Sequence, residues 1–514
     1  MEALKEMVNV YAPATGELIM QYEEMPASQA GEIMNKSKGA FLSWSQLDID
    51  ERLRYLKQLR HTIVNRLDEI VELISKDTGK VKTDALVADI MPALDAISHI
   101  EKHAKKTFKA QKVRTPFLLM GHKSSIHYMP RGSVLVISPW NYPFLLAMVP
   151  VVSALAGGNT VILKPSEVTP AVGKLIETLF KEAGFPDHVF QVAHGGKELG
   201  ASLTKQKPDY IFFTGSVGTG RIIQEIAARD LIPTTLELGG KDPMIVFSDA
   251  DYKRAAKGAV WGAFTNSGQV CMSVERLIIQ REALEPFLQE LLPIVNQLKQ
   301  GNGKESDIGS MTSIQQISIV REHIEDALLK GATLLTGDPP SEWNENSMFI
   351  KPIVLTNVSE DMLVMQEETF GPVLPILTVE TEEEAIRAAN HSKYGLNASV
   401  WTTNKEKGRL TAKKLLSGAV LINDVLITVA NNNLPFGGVK ESGIGRYHGD
   451  QGLRIFCHEK AVMEDMGLKK SEIQWYPYEG KYEHFHALLT AYFGKRKSMM
   501  KVIKEYLKLI KLSK

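Results

Sequence analysis

From residue 131 onward the chain alternates short apolar runs with amphipathic stretches, and this alternation constrains the fold more than any other feature. Residues 134–137, 160–163, 210–213 and 235–238 are apolar and rich in β-branched or aromatic side chains, the pattern of buried strands. Helical segments near 144–156, 170–183 and 218–228 separate most of them. Strand and helix in alternation predict a parallel sheet covered by helices. A second alternating set begins just after Gly239-Gly240, with strands at 244–247 and 276–280 and helices near 250–263 and 283–298. It predicts a second α/β domain, as a chain of 514 residues requires, being too long for one core. Upstream, Ile49, Leu53, Leu56, Leu59, Ile63, Leu67, Ile70 and Ile74 recur at helical spacing and predict a helix over 49–74. No internal repeat is visible, and residues 471–514 change character.

Charge and cysteine usage remove several functional classes. Sixty Lys and Arg balance sixty Asp and Glu, so no excess charge calls for nucleic acid. Two cysteines, Cys271 and Cys457, exclude a disulfide framework and fit a reducing cytoplasm. Acids near the first residue stand where a signal peptide needs a basic start, so no leader is expected. Residues 134–163 are the most apolar, but Pro139, Asn141, Pro143 and Pro150 interrupt them, which argues against a spanning helix. Thirteen histidines are scattered without His-Glu-x-x-His or zinc spacing, and no Walker loop occurs. No metal is expected.

Three segments carry candidate chemistry. A lone cysteine such as Cys271 is by default a small apolar residue. Its polar neighbours Asn266, Ser267, Gly268 and Gln269 instead suggest a constrained loop presenting a thiol. Thirty-four residues upstream, Glu237 ends an apolar run and is followed by Gly239-Gly240. Poor solvation there would raise its pKa; a solvated strand end or an ion pair is the plainer alternative. Gly215-Ser-Val-Gly-Thr-Gly220 follows a predicted strand and opens a helix, which suits a pyrophosphate. It is not G-x-G-x-x-G, because Ile223 stands where the third glycine would. By themselves Asn141 reads as a turn residue between prolines, and Trp140 and Phe370 as core aromatics.

Taken together the motifs resemble the aldehyde dehydrogenase superfamily over roughly residues 10–465. They are Pro139-Trp-Asn-Tyr-Pro143, Gly158-Asn-Thr-Val-Ile-Leu-Lys-Pro-Ser-Glu167, Phe213-Thr-Gly-Ser-Val-Gly-Thr-Gly220 and Leu236-Glu-Leu-Gly-Gly-Lys241. Phe264-Thr-Asn-Ser-Gly-Gln-Val-Cys271, Glu368-Thr-Phe-Gly-Pro-Val373 and Leu434-Pro-Phe-Gly-Gly-Val-Lys-Glu-Ser-Gly443 follow in family order. The resemblance implies that Cys271 is the nucleophile and Glu237 the general base. It also implies that the Asn141 side chain and the Cys271 N–H stabilise the oxyanion. It assigns Ile137, Trp140, Lys164, Glu167, Thr214, Gly215, Ser216, Gly220, Leu238, Glu368 and Phe370 to the cofactor. Lys164 and Glu167 would meet the adenosine ribose, and Glu368 and Phe370 the nicotinamide side. A carboxylate at the ribose favours NAD, with NADP also allowed by relatives carrying Lys-Pro-Ser-Glu.

The fold implied is a Rossmann-like dinucleotide-binding domain (1–111 and 131–239) and an α/β catalytic domain (240–440). A β-hairpin oligomerisation element (112–130 and 441–470) would make a homodimer or homotetramer. A basic extension completes the chain at 471–514. Residues 481–514 hold nine Lys or Arg against two acids. At 100° per residue Lys497, Lys501, Lys504, Lys508 and Lys511 fall within an arc of roughly 80°, opposite Met499, Val502, Ile503, Tyr506, Leu507, Leu509 and Ile510. Such a helix either lies through residues 495–514 on an anionic membrane surface or docks its apolar side on protein. The extension and Gly445-Arg-Tyr-His-Gly449 resemble class 3, fatty-aldehyde and apocarotenoid-type members. These imply a medium- or long-chain or polyene aldehyde, met in the cytoplasm or peripherally at the cytoplasmic membrane. A semialdehyde dehydrogenase for a small charged substrate is the nearest alternative.

Overall fold

Strands buried on both faces belong inside a sheet that helices cover on each side. Every residue of Ser133–Ile137, Thr160–Lys164 and Tyr210–Thr214 is buried. The computed structural model, which describes residues 7–467 and 470–513, places them in a six-stranded sheet. Its order is Gly443–Ile444, Thr234–Glu237, Tyr210–Thr214, Ser133–Ile137, Thr160–Lys164, Phe190–Val192. The last five are parallel, and only Gly443–Ile444 runs antiparallel to its neighbour. Strand order reverses between Ser133–Ile137 and Tyr210–Thr214. The crevice beyond the carboxyl ends of those two strands is where doubly wound sheets bind ligands.

The second sheet has seven strands, ordered Thr333–Thr336, Ile353–Thr356, Val373–Val379, Val274–Gln280, Asp242–Val246, Asn397–Trp401, Ala419–Ile422. All its neighbours are parallel except the edge strand Thr333–Thr336. Helices Tyr252–Phe264 and Arg281–Gln297 lie close to the expected spans. The helix expected over 49–74 is instead two, Ile49–Asn65 and Leu67–Thr78. They break at Arg66, whose φ of −112° and ψ of 20° leave the helical region. One residue out of line does not disturb the four-residue step from Ile63 to Leu67, so the spacing carries no trace of the break.

The chain forms two compact units, residues 1–108 with 129–458 and residues 109–128 with 459–514. Both α/β sheets lie in the first. Residues 441–458, grouped with the hairpin in the sequence reading, also belong there, because Gly443 pairs with Glu237. In the second unit Gln111–Val113 pairs antiparallel with His122–Pro130, whose other neighbour is Cys457–Asp465. Helices Tyr482–Phe493 and Met499–Leu512 bury Leu488, Ala491, Val502, Tyr506 and Leu509 in a common core. The single apolar side expected of 497–511 is therefore divided. Val502, Tyr506 and Leu509 face protein, whereas Ile503 and Leu507 stay 46% and 53% exposed.

Candidate active site

Glu237 is the last residue of Thr234–Glu237 and is only 4% exposed. Neither carboxylate oxygen has a hydrogen-bond partner among the described residues. Burial raises its pKa well above the ordinary carboxylate value, and the charge of Arg446 only partly offsets this. The next turn needs its two glycines for space. A Cβ on Gly239 would stand 2.3 Å from Glu368 Oε2, and one on Gly240 would stand 2.2 Å from the carbonyl oxygen of Cys271.

The cysteine loop leaves helix Tyr252–Phe264 through three left-handed residues, Asn266 (φ 49°), Ser267 (φ 56°) and Gly268 (φ 72°). Two of these carry side chains, a conformation costing about 1–3 kcal/mol each that persists only where surrounding contacts enforce it. Here Asp84 accepts from the Asn266 N–H at 2.9 Å, and the Ser267 hydroxyl donates to the Gly309 carbonyl at 3.0 Å. Cys271 follows, partly exposed. Burial, then the nearby acids Glu368, Asp242 and Glu237, push its thiol pKa upward.

Asn141 lies just beyond Ser133–Ile137. Its Nδ2 donates one hydrogen to the Gln269 carbonyl at 3.0 Å. Its own carbonyl accepts from Lys80 Nζ at 2.7 Å and from Asn266 Nδ2 at 3.1 Å. Across the cavity Glu368 Oε1 accepts from the Gly240 N–H at 3.0 Å. Burial and the charge of Glu275 raise the Glu368 pKa to about 8. Glu275 also accepts from the N–H groups of Thr369 and Phe370 at 2.7 and 2.8 Å. That fixes Phe370 in a left-handed conformation, φ 50°, with its ring edge-on to Trp140 at 5.4 Å. Trp140, Asn141, Glu237, Cys271, Glu368 and Phe370 all line one cavity of about 230 Å³. Thr214, Gly215, Ser216 and Leu238 share it, as do Leu146, Gln316 and Ile319, for which the sequence reading had no role.

A second cavity of about 620 Å³ adjoins the first and shares Pro139, Trp140, Thr214, Gly215 and Ser216 with it. Ile137, Lys164 and Glu167 line it, the last two joined by a 2.6 Å ion pair. Ser216 caps helix Val217–Arg229, its hydroxyl accepting from the Thr219 N–H. Gly220 lines neither cavity; a Cβ there would stand 2.6 Å from Leu238 Cδ2, so its smallness serves helix–strand packing. The far wall was not anticipated. Gly200, Ala201 and Thr204 of helix Lys197–Lys205 and Ile222, Ile223 and Ile226 of Val217–Arg229 form it. Ile222, 58% exposed, is the one signal available, an isoleucine off the core face of its helix. An apolar slot, a carboxylate held by a lysine and an open helix N-terminus together fit the adenosine and pyrophosphate of a dinucleotide.

The aldehyde dehydrogenase family matches residues 1–462. The 4,4'-diapolycopene aldehyde oxidase of a Methylomonas species is 42% identical over 485 residues, covering 94% of this chain and 91% of the relative. The 4,4'-diaponeurosporen-aldehyde dehydrogenase of Staphylococcus aureus is 34% identical, covering 88% and 97% respectively. A solved NAD+ complex of an aldehyde dehydrogenase from Bacillus cereus superposes with a TM-score of 0.85 at 34% identity, covering 90% of this chain and 94% of that one.

Proposed function

The chain belongs to the aldehyde dehydrogenase family and oxidises an aldehyde to its carboxylic acid, and we propose that its substrate is a long apolar aldehyde, aliphatic or polyene. The names of the two relatives support this reading, since both act on aldehydes of polyene skeletons. NAD is the proposed cofactor, with NADP as a second choice; in support, Glu167, paired with Lys164 in the larger cavity, offers a carboxylate that accepts from a ribose hydroxyl and repels a 2′-phosphate. When bound, the nicotinamide supplies the acceptor for the electron pair leaving the substrate carbon.

The observation that carries the mechanism is that Cys271, Asn141 and the unpartnered Glu237 line one small cavity. Cys271 gives up its thiol proton to solvent water and Sγ attacks the aldehyde carbon, while the second hydrogen of Asn141 Nδ2 and the Cys271 N–H receive the developing oxyanion. Oxidation leaves a thioester on Cys271. Glu237, a strong base because it is poorly solvated, takes a proton from water as that water attacks the thioester carbon. The acid departs and the thiol is restored.

We assign a peripheral membrane contact to the second unit. It exposes Trp475, Tyr476, Tyr478, Tyr482 and Phe493, and Ile503 and Leu507 share a shallow apolar groove with Lys504, Lys508 and Lys511. Aromatic rings and apolar side chains edged by lysines suit an anionic interface. No helix among the described residues is long and apolar enough to cross a membrane. The hairpin element is proposed to hold a homodimer or homotetramer, and the cytoplasm is the proposed compartment.

The test is reduced-cofactor absorbance with straight-chain aldehydes from two to sixteen carbons, with and without anionic vesicles. Cys271→Ala and a chain truncated before Lys495 accompany it. Activity that rises with chain length, vanishes in Cys271→Ala and loses its vesicle stimulation on truncation is expected. Activity confined to short charged aldehydes would replace this reading with a semialdehyde dehydrogenase.

A further inference from the structure

A fully buried lysine and aspartate lie beneath the substrate cavity without lining it. Lys80 Nζ contacts Asp89 Oδ2 at 3.0 Å, and both side chains have no exposed surface. The same ammonium donates to the Asn141 carbonyl at 2.7 Å and stands 4.0 Å from the centre of the Tyr142 ring. Asp89 Oδ1 accepts from the Leu145 N–H at 2.6 Å, at the first turn of helix Leu145–Ala156. The pair thus grips the segment carrying Asn141 at two points, one at the residue itself and one four residues later.

Stability alone is a poor reason for this arrangement. Taking two charges out of water costs several kcal/mol per ion, and well-packed apolar side chains often replace such a pair without loss. What an apolar pair could not do is donate a hydrogen bond to the Asn141 carbonyl. That carbonyl has a second donor, Asn266 Nδ2, which also reaches the Gln269 carbonyl at 3.2 Å. The Asn141 side chain is tied to the same Gln269 carbonyl. Backbone and side chain of Asn141 are therefore fixed together against the cysteine loop, leaving one amide hydrogen uncommitted.

We propose that Lys80, held by Asp89, is a positioning residue for the oxyanion site: it fixes the Asn141 carbonyl so that the free side-chain N–H stays aimed at the carbonyl oxygen of a substrate on Cys271. The assignment rests on the role given to Asn141 above. Lys80 touches no substrate and exchanges no proton in the reaction.

A four-member cycle tests it: the unaltered chain, Lys80→Met, Asn141→Ala and the double variant. The single-turnover rate of cofactor reduction, NAD affinity and Tm are measured for each. Removing an oxyanion donor lowers the rate about 10²–10³-fold, the loss expected of Asn141→Ala. Misplacing one by up to an ångström costs up to about 10²-fold, so Lys80→Met should lose about 10- to 100-fold alone. In the Asn141→Ala background it should lose less than about twofold, since the group it positions is gone. The fall in Tm should be the same in both backgrounds. Equal rate losses in both backgrounds, or a rate loss matched by lost NAD affinity, would overturn the proposal. Should Lys80→Met not fold, Asp89→Asn enters the same cycle, keeping the acceptor for Leu145 while loosening its hold on Lys80. A fully active Asn141→Ala would remove the underlying role itself, an outcome distinct from additivity.

Discussion

Replacing Gly240 by alanine puts a methyl carbon 2.2 Å from the Cys271 carbonyl oxygen. Even a close C–H···O contact holds carbon and oxygen about 3.3 Å apart, so about 1 Å must be found by moving backbone. Neither side yields easily. The Gly240 N–H is bonded to Glu368, and the cysteine loop is fixed through Asp84 and Gly309. Overpacking of this kind costs about 1–3 kcal/mol, and an ångström of misalignment at a reacting centre costs up to about 10²-fold in rate. Gly240→Ala should therefore lose single-turnover rate by one to two orders of magnitude with a moderate fall in Tm. Gly39→Ala is the control. That glycine lies inside helix Ala30–Trp44 with nothing within 4 Å of its added carbon, so the change should stabilise by up to about 1 kcal/mol and leave the rate alone. A Gly240→Ala enzyme within twofold of the unaltered rate and Tm would refute the steric argument.

Glu237→Gln should still form the thioester, giving one equivalent of reduced cofactor in a burst and then turnover slowed about 10²–10⁴-fold; steady turnover without a burst would contradict the base assignment. Because Glu237 acts as carboxylate and burial raises its pKa, thioester hydrolysis should climb as pH rises beyond the ordinary carboxylate range, and a flat profile would exclude it as the base. Asp77, whose Oδ2 accepts from the Val172 N–H at 2.9 Å, is raised by burial from 3.8 to about 7. The folded state therefore holds this proton more tightly than the unfolded chain. Its contribution to stability should be full below pH 4, fall as pH rises to 7, and by pH 8 have lost up to about 4 kcal/mol at roughly 1.4 kcal/mol per pKa unit. Asp77→Asn should flatten that part of the urea-unfolding profile between pH 4 and 8, and an unchanged slope would place the proton elsewhere. Changing Lys501, Lys504 and Lys511 to Gln should weaken binding to anionic vesicles by about 1 kcal/mol per charge, measured by sedimentation; an equal effect on neutral vesicles would rule out the electrostatic part.

The legible parts of this fold are those whose signal is local. Tyr210–Thr214 and Thr160–Lys164 are buried at every residue, so each reads as an unbroken apolar run and its ends are found within a residue. Phe190–Val192 is three residues long, too short for any period to register. The site divides the same way. Cys271, Glu237 and Glu368 stand in motifs of a few consecutive residues. Lys80, Asp84 and Glu275 do not, because an isolated charge reads as solvated until its partners are known. Those partners lie far along the chain: 61 residues separate Lys80 from the Asn141 carbonyl, and 95 separate Glu275 from Phe370. Paired glycines after a strand suggest a turn, yet what requires them is distant in sequence, Glu368 for Gly239 and the Cys271 carbonyl for Gly240.

The same burial that hides these groups gives the site its chemistry. A solvated glutamate would be fully ionised near neutral pH but a weak base, whereas one stripped of donors binds a proton more tightly. Glu237 meets that condition, neither oxygen having a partner among the described residues, and Asp242 and Glu368, also buried, are raised with it. Three acids near one cysteine would repel each other if all were charged. Burial raises the pKa of all three, which lessens that repulsion, and burial likewise disfavours the thiolate of Cys271. Lys241 and Glu275, paired at 2.7 Å, supply fixed charges that hold Thr369 and Phe370 without entering the cavity. Charge therefore serves geometry at the periphery, while burial disfavours the charged forms of Glu237 and Cys271 in the cavity.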